Sequence, residues 1–151
     1  VGKGDELTAR LRRAKTVGLD TAIFIYAFER HSIFGPLAQA VFGALASGQY
    51  QGYVSVLALG EILTGAKKAH NFELVLRYQS LFQRFPGLTM YDADTAVMEW
   101  MSDLRARYGI PTPDAIHLGT ALSHGAKAFL TNDARLQRVT EVEVLVLAEF
   151  I

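Results

Sequence analysis

The sequence predicts an α/β sandwich built on a mostly parallel sheet of about five short strands. Short aliphatic or β-branched runs alternate with longer amphipathic stretches along the chain, the order expected when each parallel strand needs a helical crossover. Gly-Pro and Pro-Gly pairs separate several of these segments. The 151 residues are 50% hydrophobic and 20% charged, which suits one ordinary globular domain with a sizeable core.

The elements follow in order. "DELTARLRRA" (5–14) carries acids first and bases last, as a helix dipole favours, with Leu7, Leu11 and Ala14 roughly in line. "TVGLD" (16–20) reads as a buried strand running into an acid, and "TAIFIYAFER" as the helix after it. Gly35-Pro36 breaks that helix, and a second helical stretch extends to about Ser47. "GYVSV" (52–56) is the second strand, continued by the helical "LALGEILTGAKKA". From Phe72 to Phe85, the register Phe72, Val75, Leu76, Gln79 and Phe82 predicts another amphipathic helix, ended by Pro86-Gly87. "LTMYD" is the third strand. Asp94 then caps the helix "TAVMEWMSDLRARYG", and Gly109 closes it. "PTP" opens the helix of Asp114, "AKAFLT" is the fourth strand and "VEVLVL" the fifth. There is no internal repeat, low-complexity tract or linker.

Fifteen basic residues balance fifteen acidic ones, which argues against a protein that coats polyanions with many unpaired cations. With no cysteine, disulfides, thiolate zinc sites and cysteine nucleophiles are excluded, and a reducing cytoplasm fits. No apolar run reaches the roughly 18 residues of a membrane span, and the charged start "VGKGDELTARLRRAKT" is unlike a signal peptide. The expectation is a soluble cytoplasmic domain.

Open parallel sheets bind ligands outside the carboxyl ends of their strands, so acids there are of interest. Asp20 follows the first strand, Glu61 lies six residues past Ser55, Asp114 is in the first turn of its helix, and Asp133 follows the fourth strand. Carboxylates converging at one edge repel and raise one another's pKa unless a cation neutralises them. Hard oxygen donors without cysteine or clustered histidine select Mg²⁺ or Mn²⁺. Each acid also has a plainer reading. Asp114 suits a helix start with Thr112 as N-cap and Pro113 at the first helical position. Asp133 suits a cap for "ARLQRV", with Asn132 in the turn. Asp20 and Glu61 are harder to explain that way, because apolar residues surround both and a buried carboxylate needs a partner.

"VGLDTAIFIYAFE", "SVLALGEILTGAKK", "RARYGIPTPDAIHLGTALSHGAKAFLTNDARL" and "VLVL" together resemble the PIN domain, specifically its VapC-like bacterial and archaeal members. The resemblance runs from about residue 17 to the end, so residues 1–151 form a single PIN-like domain with 1–16 as an N-terminal helical extension. It implies a three-layer α/β/α fold and a metal-dependent ribonuclease. Asp20, Glu61, Asp114 and Asp133 then fall at the family's four acidic positions and hold one or two Mg²⁺ or Mn²⁺ ions. Thr21 and Ser55 stand where hydroxyls orient ligands or water, and Asn132 is a second candidate at the fourth block. Gly60 departs from the usual alanine. The resemblance further implies a toxin paired with a cognate antitoxin, and a homodimer.

On that reading an RNA phosphodiester is hydrolysed by water activated on a metal held by Asp20, Asp114 and Asp133, with Glu61 completing the coordination of a second ion or accepting the water's proton. Lys67, Lys68, Arg105, Arg107, Arg135 and Arg138 are candidates to position the RNA strand, although a solvated face explains any one of them. Tyr26, Tyr53 and Tyr91 are candidates for base stacking, set against a core role. Trp100 and Met101 suit a core or a dimer contact. His117, one turn after Asp114, is within reach of that acid or of a phosphate, but reads first as a packed, satisfied helix histidine. There is no P-loop, no G-x-G-x-x-G after a strand and no G-x-S-x-G elbow. Ala22, two past Asp20, lacks the second aspartate of a haloacid-dehalogenase-like phosphatase. The competing reading is a non-catalytic regulatory or protein-binding module on the same fold. Four acids held together argue against it.

Overall fold

A computed structural model of the chain describes residues 2–151, and these residues form five strands and seven α-helices. In order they are α1 (Lys3–Ala14), β1 (Thr16–Leu19), α2 (Thr21–Phe28), α3 (Gly35–Ala46), β2 (Gln51–Ser55), α4 (Val56–Lys68) and α5 (Phe72–Arg84). Then come β3 (Leu88–Tyr91), α6 (Thr95–Tyr108), α7 (Thr112–Ser123), β4 (Ala128–Thr131) and β5 (Glu143–Val146). Short 3₁₀ turns occupy Ala134–Arg138 and Leu147–Phe150.

Every strand pairing is parallel, in the order β3-β2-β1-β4-β5. The chain winds from β1 outward to β3 and then returns to place β4 against the other side of β1. That reversal is a topological switch point, with its crevice at the carboxyl ends of β1 and β4.

Side-chain alternation along the strands makes two cores. Val17, Leu19, Val54, Ala128, Leu130 and Leu145 join the core shared with α1 to α5. Phe129 faces the opposite way and packs with Leu104 of α6 and with Ala115, Leu118 and Ala121 of α7. The result is the expected three-layer sandwich. Leu7 and Leu11 of α1 are fully buried in the larger core, so this helix packs on the domain.

The ends of the elements show why the chain turns where it does. Asp20, Ser55, Asn71 and Asp94 each accept a hydrogen bond from a backbone N–H of the helix they precede. Asp20 and Ser55 therefore end their strands by starting a helix. Gly109 closes α6 with a φ of 66°, the left-handed region where glycine has no Cβ penalty.

Two expectations need correction. On α5 the buried positions are Val75, Tyr78 and Phe82, while Phe72 and Leu76 are 62% and 67% exposed. Tyr78 goes inside because its hydroxyl donates to the Glu29 carboxylate at 2.7 Å, which satisfies its polar end. On α7 the cap is Pro111, with no side-chain hydrogen bond, so Thr112 is already helical. Pro113 lies in the first turn, where a missing N–H costs nothing.

Candidate functional site

Asp20 is held at the switch point from two sides. Its Oδ1 accepts the Thr21 N–H at 2.9 Å, and its Oδ2 accepts the Thr131 hydroxyl at 2.6 Å. The fully buried Thr131 also accepts the Asp133 N–H at 3.1 Å, so one hydroxyl at the end of β4 ties the first acid to the backbone of the fourth. Thr131 is a site residue that sequence alone does not single out. Its only sequence signal is a hydroxyl closing an otherwise apolar strand.

Asp114 projects from the first turn of α7. Burial, and then the charges of Asp20 and Asp133, push its carboxyl above the ordinary range. Asp20, Asp114 and Asp133 are thus electrostatically coupled at one edge. Asp114 and Asp133 line the same cleft of about 190 Å³, with Ile110, Arg135 and Arg138 on its walls. A larger, mostly apolar hollow of about 410 Å³ between α2 and α5 has no acid in its lining.

Glu61 lies in the second turn of α4 and is not buried; its side chain is 38% exposed. Its Oε1 meets the Thr21 hydroxyl at 2.7 Å and His117 Nε2 at 2.7 Å. The His117 hydrogen bond holds the Glu61 carboxyl below the ordinary range, against the opposing effect of partial burial and with help from Thr21. His117 therefore bonds to Glu61 and Thr21 rather than to Asp114. Nor is it satisfied, because its Nδ1 is buried without a partner.

Asp133 does what its plainer reading required and something more. Its Oδ1 accepts the Arg135 N–H, and the Arg135 guanidinium grips both carboxylate oxygens at 3.0 and 2.8 Å. That bidentate pair holds the Asp133 carboxyl below its usual range. Arg135→Ala is expected to bring the Asp133 titration back up toward an ordinary aspartate, readable by carboxyl-carbon NMR; an unmoved titration would rule out the pairing. Asn132 turns elsewhere, donating to the Tyr26 hydroxyl and accepting the Ala148 N–H. At the fourth block Asp133, not Asn132, faces the other acids.

The remaining candidates are dispersed. Ser55 is buried and its hydroxyl caps α4. Lys67 and Lys68 sit in the last turn of α4, roughly 9 Å beyond Glu61 at 1.5 Å per residue. Arg107 pairs with Glu141, and Arg105 donates to the Ile110 carbonyl. Arg135 and Arg138 lie beside the acids. Tyr53 and Tyr91 meet edge to face, and Tyr91 stacks on His124. Trp100 and Met101 are half-buried on α6, close against Gly119 of α7.

Among the described residues, no three carboxylate or imidazole groups are already closed around a common point. The donor set nonetheless suits a hard divalent cation. It consists of oxygens on separate elements, and Asp114 carries repulsion from two acids that a cation would relieve.

A parallel sheet with acids at its switch point defines a class of α/β domains built for a polar ligand at the strand ends. The PIN domain family model matches residues 17–142, and the chain belongs to that family. Solved structures share the fold. A chain of VapBC2 from Rickettsia felis, bound to a promoter DNA fragment, aligns with a TM-score of 0.70 and 19% identity, covering 87% of this chain and 98% of that one. A toxin–antitoxin complex from Klebsiella pneumoniae gives a TM-score of 0.67 and 22% identity, with 87% and 97% covered. DNA-bound VapBC from Salmonella typhimurium gives 0.66 and 21%, with 88% and 98% covered. No curated protein matches the chain in sequence. Among the described residues, no helix is long and apolar enough to cross a membrane.

Proposed function

We propose that this protein is a metal-dependent ribonuclease that hydrolyses RNA phosphodiester bonds with Mg²⁺ or Mn²⁺, acting as the toxin of a VapBC-type pair. The observation that carries this reading is the gathering of Asp20, Asp114 and Asp133 at the switch point, where Asp114 is pushed up by burial and by the other two acids. On this reading those acids and Glu61 hold the metal. The metal when bound would polarise a phosphate oxygen and lower the pKa of water.

The protein's own groups prepare the site. Thr131 and the Thr21 N–H fix the Asp20 carboxylate, so little reorganisation is left when a cation or substrate arrives. Glu61, exposed and held ionised by His117 and Thr21, is kept as an anionic oxygen donor for the cation. Arg135 and Arg138 are the cations nearest the acids and the first candidates to bind the flanking phosphates. Pairing with an antitoxin, homodimerisation and a cytoplasmic location belong to the same proposal. The shared fold with chains of VapBC complexes supports the antitoxin, the absence of cysteine suits the location, and homodimerisation rests on the family resemblance alone.

The test is cleavage of an end-labelled structured RNA by the purified protein with Mg²⁺, with Mn²⁺ and with EDTA. Cutting with either metal and none with EDTA is the expected result. No cutting, together with no Mn²⁺ binding by calorimetry, would reject the nuclease in favour of a non-catalytic module.

A further inference from the structure

His117 is 4% exposed and lies on the inner face of α7, among Ala115, Leu118 and Ala121. A leucine would suit such a position. The imidazole instead leaves Nδ1 buried with no partner, a costly state for a polar atom. What it gains lies at the other nitrogen: Nε2 is 2.7 Å from Glu61 Oε1 and 3.2 Å from the Thr21 hydroxyl. Since Nδ1 has no acceptor, the ring proton belongs on Nε2, which donates to the carboxylate. The Thr21 hydroxyl, 2.7 Å from the same oxygen, is the second donor.

Three elements therefore converge on a single oxygen: α2 through Thr21, α4 through Glu61 and α7 through His117. Oε1 is occupied by two donors, while Oε2 accepts no hydrogen bond among the described residues. We infer that His117 is a positioning residue that locks the Glu61 side chain and leaves Oε2 as the one oxygen available to a divalent cation. This rests on the proposed role of Glu61 as a metal ligand. A lone exposed glutamate on a helix samples several rotamers; one fastened to a buried ring does not, and the ordering cost is met before the ion binds.

The test is Mn²⁺ binding to the full chain by calorimetry, with thermal melting alongside. His117→Leu fills the space but cannot donate, His117→Asn is polar but too short to reach Glu61, and His117→Gln places an N–H near the position of Nε2. Leu and Asn are expected to weaken Mn²⁺ binding by about 10- to 100-fold, the range for outer partners of metal ligands, with Gln recovering most of the affinity. In a Glu61→Gln background, His117→Leu should add no further loss. A structural role alone would move the melting temperature and leave Mn²⁺ affinity unchanged. If Glu61→Gln weakens binding while His117→Leu and His117→Asn bind as wild type does, the positioning role is overturned and the metal-site reading survives. If Glu61→Gln itself binds Mn²⁺ normally, or the wild type binds none, the ligand role of Glu61 fails and this inference fails with it.

Discussion

Asp20→Asn is expected to reduce metal-dependent RNA cleavage by roughly a hundredfold or more, at least the loss seen when an outer partner of a metal ligand is removed. Asparagine keeps the size of the side chain, and its Oδ1 can still accept the Thr21 N–H that starts α2. What disappears is the negative charge at the switch point, together with the Oδ2 that accepts the Thr131 hydroxyl. Asp114→Asn separates that loss from misfolding. A carboxyl whose pKa is raised on folding penalises the folded state once it ionises. The penalty is absent below the ordinary carboxylate range and complete above the raised value, hence fully present at neutral pH without metal. Asp114→Asn removes it. The variant should unfold no more readily than wild type in EDTA while losing cleavage as Asp20→Asn does. Wild-type cleavage by either variant would show that the acids at the switch point are not the reacting site.

Gly18→Ala is expected to cost about 1–3 kcal/mol of stability through overpacking. A Cβ built on Gly18 would lie 2.6 Å from Ala121 Cβ and 2.8 Å from Phe129 Cδ1. Neither neighbour yields easily, since alanine has no rotamer to change and Phe129 is buried in the core between sheet and helix. Relief has to come from separating α7 from β1. Those two elements carry Asp114 and His117 on one side and lead into Asp20 on the other, so the same substitution should also weaken Mn²⁺ binding. Urea unfolding measures the first effect as a lower midpoint at an unchanged slope. A wild-type midpoint would mean that the strand and helix are not in such close contact.

The fold class was legible because it rests on period and punctuation. Val17, Leu19, Val54 and Leu130 had to be inside, and the Gly35-Pro36 and Pro86-Gly87 breaks had to separate elements. Asp20 stood out as a charge whose hydrophobic neighbours leave little room for a solvated loop, but the same argument misplaced Glu61, which is 38% exposed because its helix turns that face outward. The placement of α5 was misjudged because leucine outranks tyrosine by hydrophobicity alone. Burying Tyr78 depends on Glu29, which is 49 residues away and available only after folding.

By itself, then, the sequence determined the alternation of strands and helices, the Asp94 cap that follows β3, and the placing of Asp20 and Asp133 directly after β1 and β4. All of these depend on residues a few positions apart. The tertiary structure alone decided the partners: Thr131 on Asp20, Arg135 on Asp133, and His117 with Thr21 on Glu61. Most of these contacts join residues tens of positions apart, and a hydrogen bond forms only when its two atoms come within about 3 Å. Even the Arg135 pair, two residues apart in sequence, was set by the 3₁₀ turn that folds the guanidinium back onto Asp133.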